Sequence, residues 1–273
     1  MFDPKSKKYP YPLDTSTHYL KITKNKGIVF DKDYPYIDKS KGFRFKKGLV
    51  RFVIVTIVFL LTKIRLGLKI KGRKNLKKNK KIIKEGVVSV SNHIHMWDYL
   101  AFLMAIRHFK PYYLAWDKNV NNKSGSLVRL TGGIPIPVND INATKAYLKA
   151  INGLLDSGGW LHIYAEGSMW EFYKPIRPFK LGAAHIAVIN NKPILPISFS
   201  YRKPNFIRKH IFRQIATITV NVGELIYPNN DLPKKEREID LTKRCHEAVC
   251  KLSENDNNLY PPIYDCNERI DYY

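Results

Sequence analysis

The chain has 273 residues and a mass of 31.8 kDa, enough to bury one substantial hydrophobic core. Its hydrophobic fraction of 44% is ordinary for a globular protein and excludes both a disordered chain and a protein with many membrane spans. The 47 Lys and Arg against 23 Asp and Glu give a formal charge of +24, which indicates an anionic partner such as nucleic acid, lipid headgroups or a phosphorylated substrate.

Residues 1–43 are rich in Lys, Tyr, Asp and Pro and lack a sustained hydrophobic period. We interpret them as an N-terminal arm that packs on, or loops beside, the main domain. The arm has no apolar core of signal-peptide length, so export is not expected. The cysteines, Cys245, Cys250 and Cys266, are odd in number and have no zinc-like spacing, which favours a reducing compartment.

Residues 44–66 form a basic, apolar segment. Its centre, from Phe52 to Leu61, is uncharged, and cations flank it on both sides. A bilayer span needs about 20 apolar residues, so this run is too short to cross. Either a helix lies in the membrane interface with its cations on anionic headgroups, or the run is a core helix or strand. The flanking cations are Lys46, Lys47, Arg51, Lys63 and Arg65.

Strand-like and helix-like segments alternate through residues 67–253. This alternation predicts a layered α/β domain, in which helices flank a mostly parallel central sheet. Residues 254–273 read as a polar C-terminal tail. We predict strands at 68–72, 87–91, 112–116, 133–137, 160–165, 194–201 and 216–223, and helices at 97–108, 119–130, 141–156, 179–190 and 234–253.

Polar clusters follow two of the predicted strands. The sequence SNHIHMWD comes after one strand, and EGSMW comes after another. Ligand sites in parallel sheets lie beyond the carboxyl ends of the strands. The two clusters are therefore the candidate site.

His93 and Asp98 are the candidates for proton transfer. A histidine accepts a proton near neutral pH, best when a carboxylate fixes its tautomer and stabilises the imidazolium. Five positions on one continuous helix would turn these side chains apart by about 140°. They can meet only if His93 lies in the loop and Asp98 in the first helical turn, with Ser91 or Asn92 as the cap.

His95 leaves two alternatives open. A metal-dependent hydrolase could use His93, His95 and Asp98 as ligands, but this spacing fits no usual metal cluster, and we predict no metal. We expect His95 to be a loop residue with satisfied hydrogen bonds, whose replacement is mild.

Four blocks of the sequence occur in the order seen in one enzyme family. NHIHMWD, GGIPIP, YAEGSMW and KPILPIS, at 92–98, 132–137, 164–170 and 192–198, resemble the signatures of the glycerolipid acyltransferases, typified by 1-acyl-glycerol-3-phosphate acyltransferases. The segments IKGRKNL and RPFKLGAAHIA also look familial. The resemblance runs from about residue 66 to residue 222.

The resemblance implies that His93 is the general base and that Asp98 orients it. The acceptor hydroxyl would attack an acyl thioester directly, without a covalent intermediate, in agreement with the lack of a G-x-S-x-G elbow in the sequence. By analogy, the acceptor site is formed by residues of the first three blocks. These residues are Asn92, Gly133, Ile134, Pro135, Glu166, Gly167 and Ser168.

The chain departs from the family where phosphate is usually bound. Met169 stands where the third block usually has arginine, and the second block ends in Pro137 and Val138 without its arginine. Arg177, Lys174 or Lys180 could supply the charge, or could equally be solvated loop cations. The aromatic residues Trp170, Phe172 and Tyr173 could line an acyl or headgroup pocket, or be packed surface aromatics.

These features predict an O-acyltransferase of phospholipid biosynthesis. It would move a fatty acyl group from acyl-CoA or acyl-carrier protein to a lysophospholipid, most simply 1-acyl-glycerol-3-phosphate, giving phosphatidic acid. The acceptor could instead be another lysolipid or lack phosphate. We expect a peripheral or monotopic protein on the cytoplasmic face of an anionic membrane, docked by residues 44–66 and needing no cofactor beyond the acyl donor. A basic nucleic-acid-binding protein is the alternative from another class, and we expect no nucleic-acid partner.

Overall fold

A computed structural model describes Asp14, Thr17 and residues 25–254. The tail predicted at 254–273 therefore lies, except for its first residue, outside the described residues. The described chain forms a seven-stranded sheet flanked by helices, in the order β1-β7-β6-β2-β5-β3-β4. The predicted α/β layered fold with a mostly parallel sheet is confirmed, and its one antiparallel pair is β6 with β7.

All seven predicted strands are present. The central ones, β2 and β5, pair in parallel, and β2 is buried at every position because helices cover both faces of the sheet. The strands are β1 Lys69–Lys71, β2 Val87–Ser91, β3 Tyr112–Ala115, β4 Gly133–Pro135, β5 Trp160–Tyr164, β6 Ile194–Arg202 and β7 Thr217–Val222.

The helices follow the predicted pattern with local differences. The helix expected at 119–130 is two short helices, because the Asn-, Ser- and Gly-containing stretch at 121–125 interrupts it. Three short helices, α3, α4 and α10, were not predicted. The helices are α1 Lys41–Val53, α2 Phe59–Leu66, α3 Arg73–Lys78, α4 Lys80–Lys84, α5 Asp98–Ala105, α6 Asp117–Val120, α7 Gly125–Thr131, α8 Ile141–Asp156, α9 Gly182–Ile189, α10 Phe206–His210 and α11 Lys234–Leu252.

Alternating side chains of the central strands feed two hydrophobic cores. Val88 and Leu161 pack on one face, with α8, α9 and α11, whereas Val87 and Trp160 pack on the other, with α2 and α5. The described part of the N-terminal arm joins the first core through Tyr36, whose backbone carbonyl accepts a hydrogen bond from Arg129. The arm therefore packs on the domain from residue 25 onward.

The basic, apolar segment is helical throughout. A π-helical turn, Ile54–Val58, joins α1 to α2, and α2 ends at Gly67, which has the left-handed φ of 55° that favours glycine. Ile54, Phe59 and Leu66 are buried in the second core. The opposite side leaves apolar side chains exposed: Phe45, Leu49, Phe52, Val53, Val55, Ile57, Leu60, Leu61 and Ile64. One side of the helix is thus part of the core and the other is an uncovered apolar surface, and the membrane-interface alternative stays a prediction.

Two of the flanking cations are used inside the fold. Lys47 lies over the ring of Tyr112, 3.3 Å from its centroid, and Arg51 donates to the carbonyl oxygens of Arg107 and Phe109. Burial lowers the pKa of Lys47 to about 7. The exposed cations of the segment include Lys46, Lys63 and Arg65. None of the helices in the described part of the chain is long and apolar enough to cross a membrane.

Candidate active site

The sheet topology brings the first and third sequence blocks together. Because β2 and β5 are parallel neighbours paired through Ser91 and Tyr164, the segments that follow them leave the sheet side by side. The backbone N–H of His93 donates to Oε2 of Glu166 at 2.9 Å, and the N–H of Trp170 donates to the carbonyl of His93 at 3.1 Å. Two loops therefore form one polar site at the carboxyl edge of the sheet.

His93 and Asp98 meet as the sequence required, with His93 in the loop and Asp98 as the first residue of α5. Oδ2 of Asp98 accepts from Nδ1 of His93 at 3.1 Å and from the backbone N–H groups of Ile94 at 2.8 Å and His95 at 2.9 Å. Neither Ser91 nor Asn92 caps the helix. The Asn92 amide instead bridges to the backbone of Phe199 through both of its polar atoms.

The pair is arranged for a neutral, proton-accepting imidazole. An ionised carboxylate has no proton to donate. Nδ1 of His93 therefore carries the proton of this hydrogen bond, and Nε2 presents its lone pair. Burial, which disfavours the charged form of each group, lowers the pKa of His93 and raises that of Asp98. The side chain of His93 is 23% exposed, whereas that of Asp98 is fully buried. The imidazole is thus the member of the pair that a substrate can reach.

His95 has a partner for each ring nitrogen. Nδ1 accepts from the backbone N–H of Trp97 at 3.1 Å, and Nε2 lies 3.4 Å from Oε1 of Glu171. These contacts agree with the expected loop residue with satisfied hydrogen bonds. Within the described part of the chain, no group of three or more His, Cys, Asp or Glu side chains is placed to hold a metal ion.

A cavity of about 590 Å³ opens beside His93. Strands β3 and β5 pair only at Tyr112 with Leu161 and at Tyr113 with His162, then separate, and residues beyond these pairs line the cavity. The lining is mostly apolar and contains no Asp or Glu among the described residues. The lining residues include Tyr99, Tyr113, Tyr164, Met169 and Lys180.

The predicted acceptor residues divide between the cavity and the protein interior. Gly167, Ser168 and Lys180 line the cavity with His93, whereas Asn92 and Glu166 are buried and bonded to the protein. Gly133, Ile134 and Pro135 form β4 at the edge of the sheet and are not among the lining residues, although Ile136 is. The geometry does not favour substrate contacts for the residues outside the cavity.

The backbone conformation at position 167 and the neighbouring Lys180 side chain both favour glycine there. Its φ is 80°, and a Cβ at this position would lie 2.8 Å from Cε of Lys180. The Lys180 side chain therefore lies directly over the backbone of Gly167. This contact keeps the ammonium group at the cavity.

Arg177 lies in the interior and not at the cavity, contrary to the sequence prediction of a substrate-binding cation. Its Nη2 donates to Oε2 of Glu166 at 2.7 Å, its Nη1 donates to Oγ of Ser168 at 2.6 Å, and its guanidinium lies 4.2 Å from the ring centroid of Trp170. The Arg177 side chain is only 2% exposed. A charge withdrawn from water in this way needs such a dense set of partners. Arg177 thus orients Glu166, which in turn holds the His93 backbone.

The aromatic residues after the third block are packed. Trp170 and Tyr173 are buried, and Phe172 stacks on Tyr201 with ring centroids 5.3 Å apart. Met169 lines the cavity at the position where the family usually has arginine. Lys180 is the one Lys or Arg among the described residues that line it.

Sequence reasoning missed the phenol groups of the site. Tyr99, Tyr113, Tyr147 and Tyr164 lie in predicted strands and helices without a predicted role, yet all four line the cavity. The position of Tyr164, last in a strand before the polar cluster, was the available signal, because that end of a parallel strand faces the ligand crevice. Tyr99 and Tyr113 reach the cavity from other elements and left no comparable pattern.

Comparisons with known proteins relate this chain to acyltransferases. A family model described as Acyltransferase matches residues 67–200. The crystal structure of the 1-acyl-sn-glycerophosphate acyltransferase PlsC from Thermotoga maritima has a similar fold, with a TM-score of 0.52 and 17% sequence identity, covering 82% of this chain and 84% of that one. No curated protein matches the sequence.

Replacing Arg177 with Met should destabilise the protein by about 3–5 kcal/mol, because the carboxylate of Glu166 would remain buried without its charge partner. The double variant Glu166→Gln with Arg177→Met removes both charges and should recover part of this loss. Chemical denaturation of both variants measures the difference. Equal destabilisation by the single and double variants would show that the ion pair is not the cause.

Proposed function

We propose that the protein transfers a fatty acyl group from acyl-CoA or acyl-carrier protein to the free hydroxyl of a lysophospholipid. The match of the Acyltransferase family model to residues 67–200 and the resemblance of the four sequence blocks to the glycerolipid acyltransferases support this proposal. The acceptor implied by the family resemblance is 1-acyl-glycerol-3-phosphate, and the product is then phosphatidic acid. The observation that carries the proposal is the bonded His93–Asp98 pair at the side of a large apolar cavity.

In the proposed reaction, Nε2 of His93 removes the proton of the acceptor hydroxyl as its oxygen attacks the thioester carbonyl carbon. Asp98 keeps the proton of Nδ1 in place and stabilises the imidazolium that forms. The tetrahedral intermediate collapses by breaking the C–S bond, and the imidazolium returns the proton to the thiolate. The new ester and the free thiol leave with His93 neutral again.

The cavity supports a fatty acyl substrate. A volume of about 590 Å³ is in the usual range for a site that encloses most of a small ligand. Its apolar lining suits a hydrocarbon chain, and the absence of Asp and Glu from its described lining avoids repulsion of an anionic headgroup. We assign Lys180, the lysine at the cavity, to the phosphate of the acceptor.

A lysolipid with another headgroup is the second candidate acceptor. The observation that favours it is Met169, which offers no charge at the position of the usual arginine. A phosphate monoester carries more charge than a phosphodiester and would gain more from a second cation. A panel of lysolipid acceptors with one labelled acyl donor distinguishes the candidates.

We further propose that α1 and α2 dock on the cytoplasmic leaflet of an anionic membrane. The exposed apolar side of these helices supports insertion into the interface, and Lys46, Lys63 and Arg65 are exposed beside it. Such docking would make the protein peripheral or monotopic, and would bring both amphiphilic substrates to the enzyme.

Replacing His93 with Ala should lower the rate of acyl transfer by a factor of about 10²–10⁴, because no base remains for the acceptor hydroxyl. Asp98→Asn should also be severe, since the amide no longer fixes the imidazole tautomer. His95→Gln should be comparatively mild. Initial rates with the lysolipid panel measure all three, and near-normal transfer by His93→Ala would rule out the assigned base.

The pH profile should reflect the lowered pKa of His93. Only the neutral imidazole accepts a proton, so kcat/KM falls as pH drops through the pKa of the free enzyme. Because burial lowers that pKa, protonation of His93 should contribute to the acidic limb only below about pH 6.5, the usual value for histidine. Steady-state rates across the acid range measure the limb. Because burial also raises the pKa of Asp98 to about 7, a limb near pH 7 would report protonation of this carboxylate, whereas a His93 ring that is itself cationic at or above about pH 6.5 would contradict a buried neutral base.

Charge reversal at Lys46 and Lys63 should weaken binding to anionic vesicles, by about 1 kcal/mol for each cation near the surface. Lys145→Glu with Lys149→Glu is the matched control, because these exposed lysines lie on α8 at the other face of the sheet. Vesicle sedimentation gives the partition of each variant. An equal effect of both pairs would indicate a response to net charge and not docking through α1 and α2.

A further inference from the structure

A second apolar surface lies on the connection between β6 and β7. Four large apolar side chains, Phe206, Ile207, Ile211 and Phe212, are 75%, 53%, 69% and 52% exposed. We call this cluster, within residues 203–214, the α10 loop. Soluble surfaces seldom gather large apolar groups into one patch unless something covers it.

The α10 loop is built to hold these side chains outward. Asn205 caps α10 by accepting from the N–H of Arg208 at 2.9 Å, and the chain returns through hydrogen bonds from Phe212 to Ile207 and from Gln214 to Arg208. The backbone is therefore fixed by its own bonds. The exposure of the four side chains follows from a defined turn.

The loop is fastened to the end of α2. Nη1 of Arg208 donates to the carbonyl of Ile64 at 2.9 Å, and the Gln214 amide donates to the carbonyls of Ile64 and Arg65 at 3.0 and 2.9 Å. These donors satisfy carbonyls that the last turn of a helix leaves without partners. The apolar surface of α2 and that of the α10 loop are therefore neighbours.

The charge around the α10 loop indicates which kind of surface it binds. Lys203, Arg208, Lys209 and Arg213 lie within it, and the sequence has no Asp or Glu between Glu171 and Glu224. Exposed apolar side chains framed by cations, without carboxylates, complement a surface that has an apolar interior and anionic headgroups. We propose that the α10 loop inserts into an anionic lipid bilayer beside α2, as a second attachment point.

Two attachment points orient a protein as well as hold it. Docking through α1 and α2 alone would restrict rotation about the helix axis only by the width of their apolar side, whereas a second inserted loop away from that axis fixes the angle. Leu66, the last residue of α2, is buried in the same core cluster as Ile94 of the catalytic loop and Phe102 of α5. The shared end of the two surfaces is thus close to the catalytic loop, and the fixed angle would present the site to the membrane.

The test compares vesicle binding of the full chain and two double variants, on vesicles of phosphatidylcholine with phosphatidylglycerol. Phe206→Asp with Ile211→Asp should lower the partition coefficient by about tenfold or more, because each buried apolar side chain contributes substantially to insertion. The control, Tyr227→Asp with Ile239→Asp, changes residues that are 51% and 49% exposed elsewhere and should match wild type. Equal partition of both variants, or no binding by the wild type, would overturn the proposal.

A tryptophan at the same site gives a readout that does not depend on these acidic variants folding. The fluorescence of Ile211→Trp should shift to the blue on vesicles and be quenched by brominated acyl chains, whereas the added signal of Ile239→Trp should not. Lack of quenching at position 211 would contradict insertion of the loop into lipid. Neither measurement depends on which acceptor the enzyme uses.

A second inference rests on the unpaired, buried hydroxyl of a tyrosine that lines the cavity. Tyr164 stacks on His93, with ring centroids 3.9 Å apart and planes 16° from parallel, and lines the same cavity. Its Oη is buried and has no hydrogen-bond partner among the described residues. Of the three other tyrosines that line the cavity, Tyr99 donates to the carbonyl of Thr131, and Tyr113 bonds to the hydroxyl of Thr131.

A buried hydroxyl without a partner is costly unless a ligand supplies one. Burial raises the pKa of Tyr164 well above its usual value, so the phenol stays protonated and can donate. We propose that Oη of Tyr164 donates a hydrogen bond to the thioester carbonyl oxygen of the acyl substrate, on which negative charge develops during attack. This inference rests on the proposed acyl transfer.

Tyr164→Phe keeps the ring on His93 and removes only the hydroxyl. The kcat/KM of the variant should fall by about 10- to 100-fold, near the lower end of the fall in rate seen when one hydrogen-bond donor to an oxyanion is removed. Its melting temperature should stay equal or rise. Tyr113→Phe is the control and should lose stability, because its hydroxyl has protein partners, with a smaller change in rate. Unchanged kcat/KM in Tyr164→Phe, or a loss of activity matched by a loss of stability, would overturn the contact. Absence of acyl transfer in the wild type would instead refute the proposed function.

Discussion

The site depends on one carboxylate oxygen, Oδ2 of Asp98, which accepts from the His93 ring and from the two backbone N–H groups that follow it. Because the oxygen is buried, each donor that it holds is fixed in place, and the loop wraps around the first turn of α5. Glu166 holds the same loop from the other side through the His93 backbone. The imidazole is therefore fixed at its ring and at its main chain by two separate carboxylates.

The distribution of charge supports the proposed work of the protein at a membrane. Residues 41–84 and 172–223 contain no Asp or Glu, and these two stretches meet where the α10 loop binds the end of α2. The described lining of the cavity is also free of carboxylates. The acidic residues of the site face inward, where Asp98 and Glu166 organise the loops. An anionic lipid would thus meet cations and apolar groups at the surface and a neutral base within.

Much of the fold was readable from the sequence because strand and helix patterns alternate clearly. All seven strands were placed, and His93 meets Asp98 under the condition that their spacing set, one in a loop and the other in a first helical turn, whereas the pairing itself was implied by the family resemblance. The antiparallel direction of β7 was not predicted, since a strand's own pattern does not specify the direction of its neighbour. The position of Arg177 could not be predicted either. An arginine in a predicted loop is expected to be a solvated surface charge, and only the folded chain brings Glu166 and Ser168 to Arg177.

The most direct measurement is the protonation state of the His93 ring, read by nitrogen NMR of the free protein with imidazole labelling. The account predicts a neutral ring with the proton on Nδ1 and an unprotonated Nε2, persisting as pH falls below about 6.5 because burial lowers the pKa. A ring protonated at Nε2 when neutral, or one that becomes cationic at or above that pH, would contradict it.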